Sequence, residues 1–230
     1  MRRSAVTRPT AMRRAKSMGK AKKAGKKAVA RAAEADRAQA HEATRAPDGP
    51  VMAMAGKATD LADQPPLVAL SIGTILVGAL LRRPIVVRSG VRMLASHAVA
   101  TAAKTVIKNA VDRTRPSRAV ADGYHAGKGD GADDTSLNSM PSGHTAGAVA
   151  VAQGVAAESR LAAIPLQLAA IGVGAMQPRR GKHYLSDVIV GAAIGFAAER
   201  LTNAVMERID ALLWKRSEIA AEQEVAAHPS

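Results

Sequence analysis

Polar and apolar residues fall into blocks along this chain. Five stretches are built mainly from Ala, Val, Ile, Leu and Gly: Leu67 to Leu81, Val91 to Val111, Thr145 to Ala157, Leu161 to Met176 and Val188 to Ala198. All are of helical rather than strand length. Polar joints, Glu158-Ser159-Arg160 and then Gln177 to Asp187, separate the last three, so those helices are expected to run antiparallel. Leu67 to Leu81 carries no charge, yet its length falls short of the roughly 20 residues that span a bilayer core, and alone it fits a buried soluble helix equally well. In the second stretch His97, Thr101, Lys104, Lys108 and finally Arg115 recur at steps of three, four or seven. That spacing draws a polar stripe along an apolar rod. In a membrane such a stripe faces a protein interior or a water-filled cavity, and in a soluble protein it faces solvent.

Other signals punctuate these blocks. Gln64-Pro65-Pro66 marks a boundary, and Asp112 to Met140 forms a long connection rich in Gly, Asp and Ser, expected to lie as a loop over an active site. Within it, Gly127 to Asp134 has the oxygens of a calcium loop but neither the regular spacing nor the closing Glu, so no metal is expected there. Gly191 and Gly195 make a G-x-x-x-G step, which lets two helix backbones approach closely. From Leu201 the pattern turns amphipathic, with Val205, Ile209, Leu212 and Leu213 on one face, and Trp214-Lys215-Arg216 has the composition of an interfacial anchor.

Composition changes this picture in two ways. Aromatics are only 2% of the chain, fewer than a soluble core of this size normally uses, so five nearly ring-free helices read better as a membrane bundle. The net charge of +14 is concentrated in the first fifty residues, as in Lys20-Ala21-Lys22-Lys23-Ala24-Gly25-Lys26-Lys27. Such a segment buries too little apolar surface to order itself, although Ala28 to Ala40 has helical propensity on an anionic surface. No apolar run follows the early arginines, which fits a signal peptide poorly. The expected organisation is all-α: a disordered basic tail over 1–50, a transmembrane bundle of about five spanning helices over 51–203 with its site at helix ends, and an amphipathic, frayed segment over 204–230. The tail's expected partner is an anionic lipid headgroup. Nucleic acid is not expected, because aromatic stacking residues are scarce. With no cysteine there is neither a disulfide framework nor a thiolate metal site.

Three polar islands stand at the ends of the apolar stretches. In the first, Lys108 and Arg115 lie on one helical face and Pro116 ends the helix, an arrangement that suits two oxygens of one phosphate or, more plainly, a basic helix end. The second is Pro141-Ser142-Gly143-His144, where a helix start offers N–H groups and a hydroxyl to an anion and His144 can carry a proton. The same residues also make an ordinary cap. In the third, Asp187 follows His183 at i,i+4, close enough on a helix to fix the imidazole tautomer.

Together these islands resemble the type 2 phosphatidic acid phosphatase superfamily, which includes bacterial acid phosphatases and vanadium haloperoxidases. Lys108, Arg115 and Pro116 match its first motif in full, and Pro141 to His144 match its second. Its third motif is matched in its latter half by His183 and Asp187, whereas Met176-Gln177 stands where the family has Ser-Arg. The resemblance implies a lipid phosphate phosphatase that needs no cofactor or metal. His183 would be the nucleophile, Asp187 its orienting group and His144 the general acid. Lys108, Arg115, Ser142 and Gly143 would hold the phosphate, with Arg179 or Arg180 supplying the charge missing at Gln177. A catalytically impaired scaffold of the same fold is the alternative that the departure at Met176-Gln177 raises. Orientation is contested within the sequence: Arg82, Arg83, Arg88 and Arg92 argue for a cytoplasmic loop and an outward-facing site, while the basic tail argues the reverse.

Overall fold

Prolines set where the helices begin. The computed structural model describes residues 20, 23–25, 27, 30–38, 49–129, 131 and 134–227. Residues 30–38 are helical (α1). Then α2 (Pro50–Ala58), α3 (Gln64–Leu80), α4 (Pro84–Ala110) and α5 (Pro116–Asp122) each carry Pro in the first two positions, where a missing N–H leaves nothing unpaired. A 3₁₀ turn, Thr59–Ala62, joins α2 to α3. Serines start the next two: Ser142 accepts from the Thr145 amide at the head of α6 (Gly143–Ala156), and Ser159 from the Ala162 amide at the head of α7 (Arg160–Arg179). The last helix, α8 (Leu185–Ala227), is continuous over 43 residues.

Helix α6 is the axis of the bundle, packed by α4, α7 and α8. Its Ala146, Ala150, Val151 and Ala152 are buried, and small residues replace rings as the means of close packing. The expected G-x-x-x-G contact is present: a Cβ on Gly191 would lie 2.5 Å from the Ser142 carbonyl oxygen, and one on Gly195 would strike the Ala146 carbonyl. Helix α8 therefore lies backbone to backbone against the start of α6. At the end of the bundle away from Lys108, Arg88 pairs with Glu158 (3.2 Å) and Asp210 (2.8 Å), and Arg92 with Glu158 (2.6 Å).

Large apolar side chains face outward along the bundle, among them Leu76, Leu80, Leu161, Leu168, Ile171 and Ile189. A soluble monomer rarely leaves such a surface uncovered. Among the described residues, α7 and α8 are long and apolar enough to cross a membrane, and the bent pair Ala53–Ala62 and Gln64–Leu80 makes a third if it is one span. The expected count of five is not reached on these grounds. Helix α4 carries Arg88, Arg92, Lys104 and Lys108 within its length, and α6 has only 14 residues, most of them covered by protein.

Three further boundaries differ from expectation. The connection after α4 contains a small antiparallel ladder of β1 (Val111–Arg113) and β2 (Ala126–Lys128) as well as α5. Its Asp130, Ala132 and Asp133 lie outside the described residues. Helix α8 runs on through the amphipathic segment from Leu201 onward, where no Gly, Pro or cap interrupts it. Finally, α1 belongs to the stretch expected to be a disordered tail, yet its Asp36 is buried against the bundle; the rest of residues 1–48 lies outside the described residues apart from positions 20, 23–25 and 27.

Candidate active site

The polar stripe of α4 faces a cavity. A space of about 290 Å³ is lined by His97, Lys104 and Lys108 from that stripe, Arg115 from the following loop, Gly143 and His144 from the head of α6, and Lys182 and His183 from the α7–α8 joint. Residues of all three islands thus meet at one end of the bundle. Lys108 Nζ donates to the Asn138 carbonyl (3.2 Å), which ties the stripe to the loop that covers it. Arg115 keeps a buried Nε with no hydrogen-bond partner, and burial pulls its guanidinium below its ordinary range. An anion in the cavity would relieve both penalties.

His183 is almost fully buried, and Ser139 fixes its tautomer. Nδ1 lies 2.6 Å from the Ser139 carbonyl oxygen. A carbonyl only accepts, so Nδ1 carries the proton and Nε2 holds the free electron pair. Burial pushes the imidazole down to about 3, with the charges of Arg115 and Lys108 acting in the same direction, so the ring is neutral at physiological pH.

Asp187 was expected to touch this ring directly, but its Oδ2 lies 4.0 Å from Nδ1, beyond hydrogen-bonding range. It works one step further back. Asp187 Oδ2 accepts from Ser139 Oγ (2.6 Å) and the Tyr184 amide (2.9 Å), and Oδ1 accepts from Arg113 Nη1 (2.5 Å). The carboxylate holds the residue that holds the histidine.

The head of α6 separates the roles expected of Ser142, Gly143 and His144. Ser142 is fully buried; its Oγ caps the helix and meets Thr145 Oγ1 at 3.0 Å, and it is not part of the cavity wall. The Ser142 amide donates to the Asp187 carbonyl (3.1 Å), joining the second island to the third. Gly143 does line the cavity, and Lys104 Nζ would lie 3.2 Å from any Cβ placed on it. His144 Nε2 is 2.8 Å from Asp63 Oδ1, a close approach that is not aligned as a hydrogen bond. Asp60, Asp63 and His144 offer ligand atoms within 4.8 Å of one another, the one such group among the described residues, but Asp60 is already paired with Arg180 and Lys182.

Neither arginine named as a substitute for the missing one reaches the cavity wall. Arg179 is exposed, and Arg180 is drawn to Asp60 (2.9 Å) and Thr59 (2.5 Å). Lys182 and Lys104 bring charge to the cavity instead. Gln177 is fully buried; its side-chain amide donates to the Val173 carbonyl (3.3 Å), and its own carbonyl accepts the amides of Lys182 and His183 (3.2 and 3.4 Å). It shapes the joint without charging it. Lys104 stands on the α4 stripe, Lys182 adjoins His183 and Arg113 lies within the first island, whereas nothing in the sequence marks Ser139 or Asp36.

The chain belongs to the PAP2 superfamily, whose match covers residues 89–210. No curated protein sequence matches it. Two solved structures are similar. Aquifex aeolicus LpxE superposes with a TM-score of 0.54 at 20% identity, over 72% of this chain and 92% of that one. A transmembrane PAP2 type phosphatidylglycerolphosphate phosphatase from Bacillus subtilis superposes with a TM-score of 0.58 at 22% identity, over 76% and 86%. The family resemblance of the three islands is borne out, and at these identities the two structures speak for the fold.

Proposed function

We propose that the protein is an integral-membrane lipid phosphate phosphatase that works through a phosphohistidine and requires no metal. The observation that carries this reading is the shared cavity, in which a neutral His183, a second histidine and the cations Lys104, Lys108, Arg115 and Lys182 converge. His183 Nε2 attacks phosphorus as the bond to the leaving oxygen breaks, and His144 gives that oxygen its proton. Water then attacks phosphorus, His144 takes its proton, the P–N bond breaks, and free phosphate and neutral His183 result. The cations and the Gly143 amide stabilise the charge that grows on the phosphoryl oxygens.

A lipid substrate is supported by an apolar groove of about 470 Å³ between the α2–α3 bend and α7. Ala62 lines both spaces, so a chain in the groove would leave its headgroup beside the cations. Phosphatidate, phosphatidylglycerol phosphate and polyprenyl phosphates all have that form, and one of the two similar structures is a phosphatidylglycerolphosphate phosphatase. Phosphate release from a panel of these lipids in detergent, with His183→Ala as control, tests the reading. His183→Ala should be inactive yet folded; undiminished turnover would remove the mechanism.

For localisation we propose a bacterial inner membrane with the site on the outer face. Short loops govern orientation more than long segments, and the loop near Arg82 and Arg83 is short. The tail is the opposing consideration, since α1 joins it to the site's own end. The chain has no cysteine, so a single one introduced at Thr135 can be probed in intact cells with an impermeant maleimide. Labelling only after lysis would reverse the assignment.

A further inference from the structure

Asp36 is a buried carboxylate on α1, whose other residues are exposed or half-buried, and it reaches the rear of the candidate active site. Its Oδ2 accepts from Arg113 Nη2 (2.7 Å) and from Ser186 Oγ (2.6 Å). Arg113 uses its other terminal nitrogen for Asp187 Oδ1 (2.5 Å) and Ser186 Oγ (2.7 Å). From Asp187 the path continues through Ser139 Oγ (2.6 Å), and the Ser139 carbonyl holds His183 Nδ1 (2.6 Å). Next to Asp36, Arg37 lies over the Tyr124 ring at 4.8 Å, and Arg113 itself lies over the Tyr184 ring at 4.2 Å.

We infer that Asp36 is a positioning residue: α1 docks behind the site, and its carboxylate holds the guanidinium of Arg113 so that Asp187, Ser139 and His183 keep their places. This rests on the phosphatase reading above. Arg113 is buried between two carboxylates, one on each terminal nitrogen. With Asp36 neutralised, Nη2 loses its charged acceptor in a place without solvent, and the guanidinium can recover a second charged hydrogen bond only by turning its fork onto Asp187. That turn draws Asp187 away from Ser139, whose main chain sets the direction of His183. A residue that acts this way alters the rate of attack without touching substrate.

The test uses the full-length protein in detergent micelles, with dioctanoyl phosphatidate as probe and gel filtration to verify folding. Asp36→Asn should lower kcat on the order of tenfold to a hundredfold, the scale of a displacement approaching 1 Å, with KM unchanged. Asp36→Glu should recover part of the loss. In an Arg113→Met background, Asp36→Asn should add nothing, because the path is already cut. If Asp36→Asn turns over as wild type while His183→Ala is inactive, the inference falls and the phosphatase reading stands. If His183→Ala also turns over as wild type, it is the phosphatase reading that fails. A rise in KM at constant kcat, additive losses with Arg113→Met, or an Asp36→Asn protein that no longer runs as a folded species would each overturn the positioning role.

Discussion

Gly191→Ala should slow turnover although residue 191 touches no substrate. Its Cβ would lie 2.5 Å from the Ser142 carbonyl oxygen, which sits at the head of α6 one residue before Gly143. Since Cβ atoms essentially never approach closer than 3.0 Å, the two backbones must separate by at least about 0.5 Å. The obstacle is main chain on both sides, so no rotamer change absorbs it. The separation falls between His144 on α6 and the joint that carries His183, the two groups that must act on one phosphorus. A shift of 1 Å at such a distance costs about 100-fold in rate, so half of it should cost roughly tenfold. Overpacking of this kind also destabilises by about 1–3 kcal/mol. The paired control is Gly73→Ala in α3, where an added Cβ meets nothing within 4 Å. It should leave kcat unchanged and raise stability by up to about 1 kcal/mol through helix propensity. The assay is phosphate release at saturating lipid, together with a thermal melt in the same detergent. A Gly191→Ala protein with wild-type kcat and wild-type melting would refute the reasoning, because the backbone contact would then be free to relax without moving the site.

Three further outcomes are expected. Lys182→Ala should reduce kcat/KM on the order of a hundredfold, as loss of a charge-stabilising donor does, while Arg179→Ala should change it little; equal effects would contradict the placement of Lys182 in the cavity wall and of Arg179 outside it. On pH, a His183 held at about 3 stays an unprotonated nucleophile through the mildly acidic range, so kcat/KM should show no substrate-independent acid limb near 6.5. The same shift has a stability consequence. The unfolded chain binds this proton near 6.5 and the folded chain only near 3, so stability from this group falls as pH drops from about 6.5 to 3 and is level outside that window. Acid limbs at one fixed pH near 6.5 for lipids of different phosphate pKa would count against the buried neutral ring.

Local regularity made much of this molecule legible in sequence. The polar stripe from His97 to Lys108, the G-x-x-x-G step and the three islands are patterns of spacing, and helical geometry turns spacing into a shared face. What stayed hidden depends on partners far apart in the chain. Asp36 meets Ser186 at a separation of 150 residues, and no periodicity announces such a pair. Spacing alone does not separate the two uses of Ser142, because a cap and an anion cradle use the same atoms; in the structure its Oγ is buried and caps α6. Arg180 is drawn away from the cavity by Asp60, a partner 120 residues distant in the chain. The single helix through residue 201 is not legible in the pattern, because a change from uniform to amphipathic composition marks where the surroundings change, not where hydrogen bonding stops.

The length of α8 has one more implication. At 1.5 Å per residue its 43 residues extend about 64 Å, roughly twice the hydrocarbon thickness of a bilayer. It starts beside His183, and its Asp210 pairs with Arg88 at the other end of the bundle, so the surplus emerges on the side away from the cavity. Helix α1 is anchored at the cavity end. Helix α1 and the exposed Trp214 therefore belong to opposite ends of the bundle, so whatever grips the Trp214 rod does so at the end away from the candidate site.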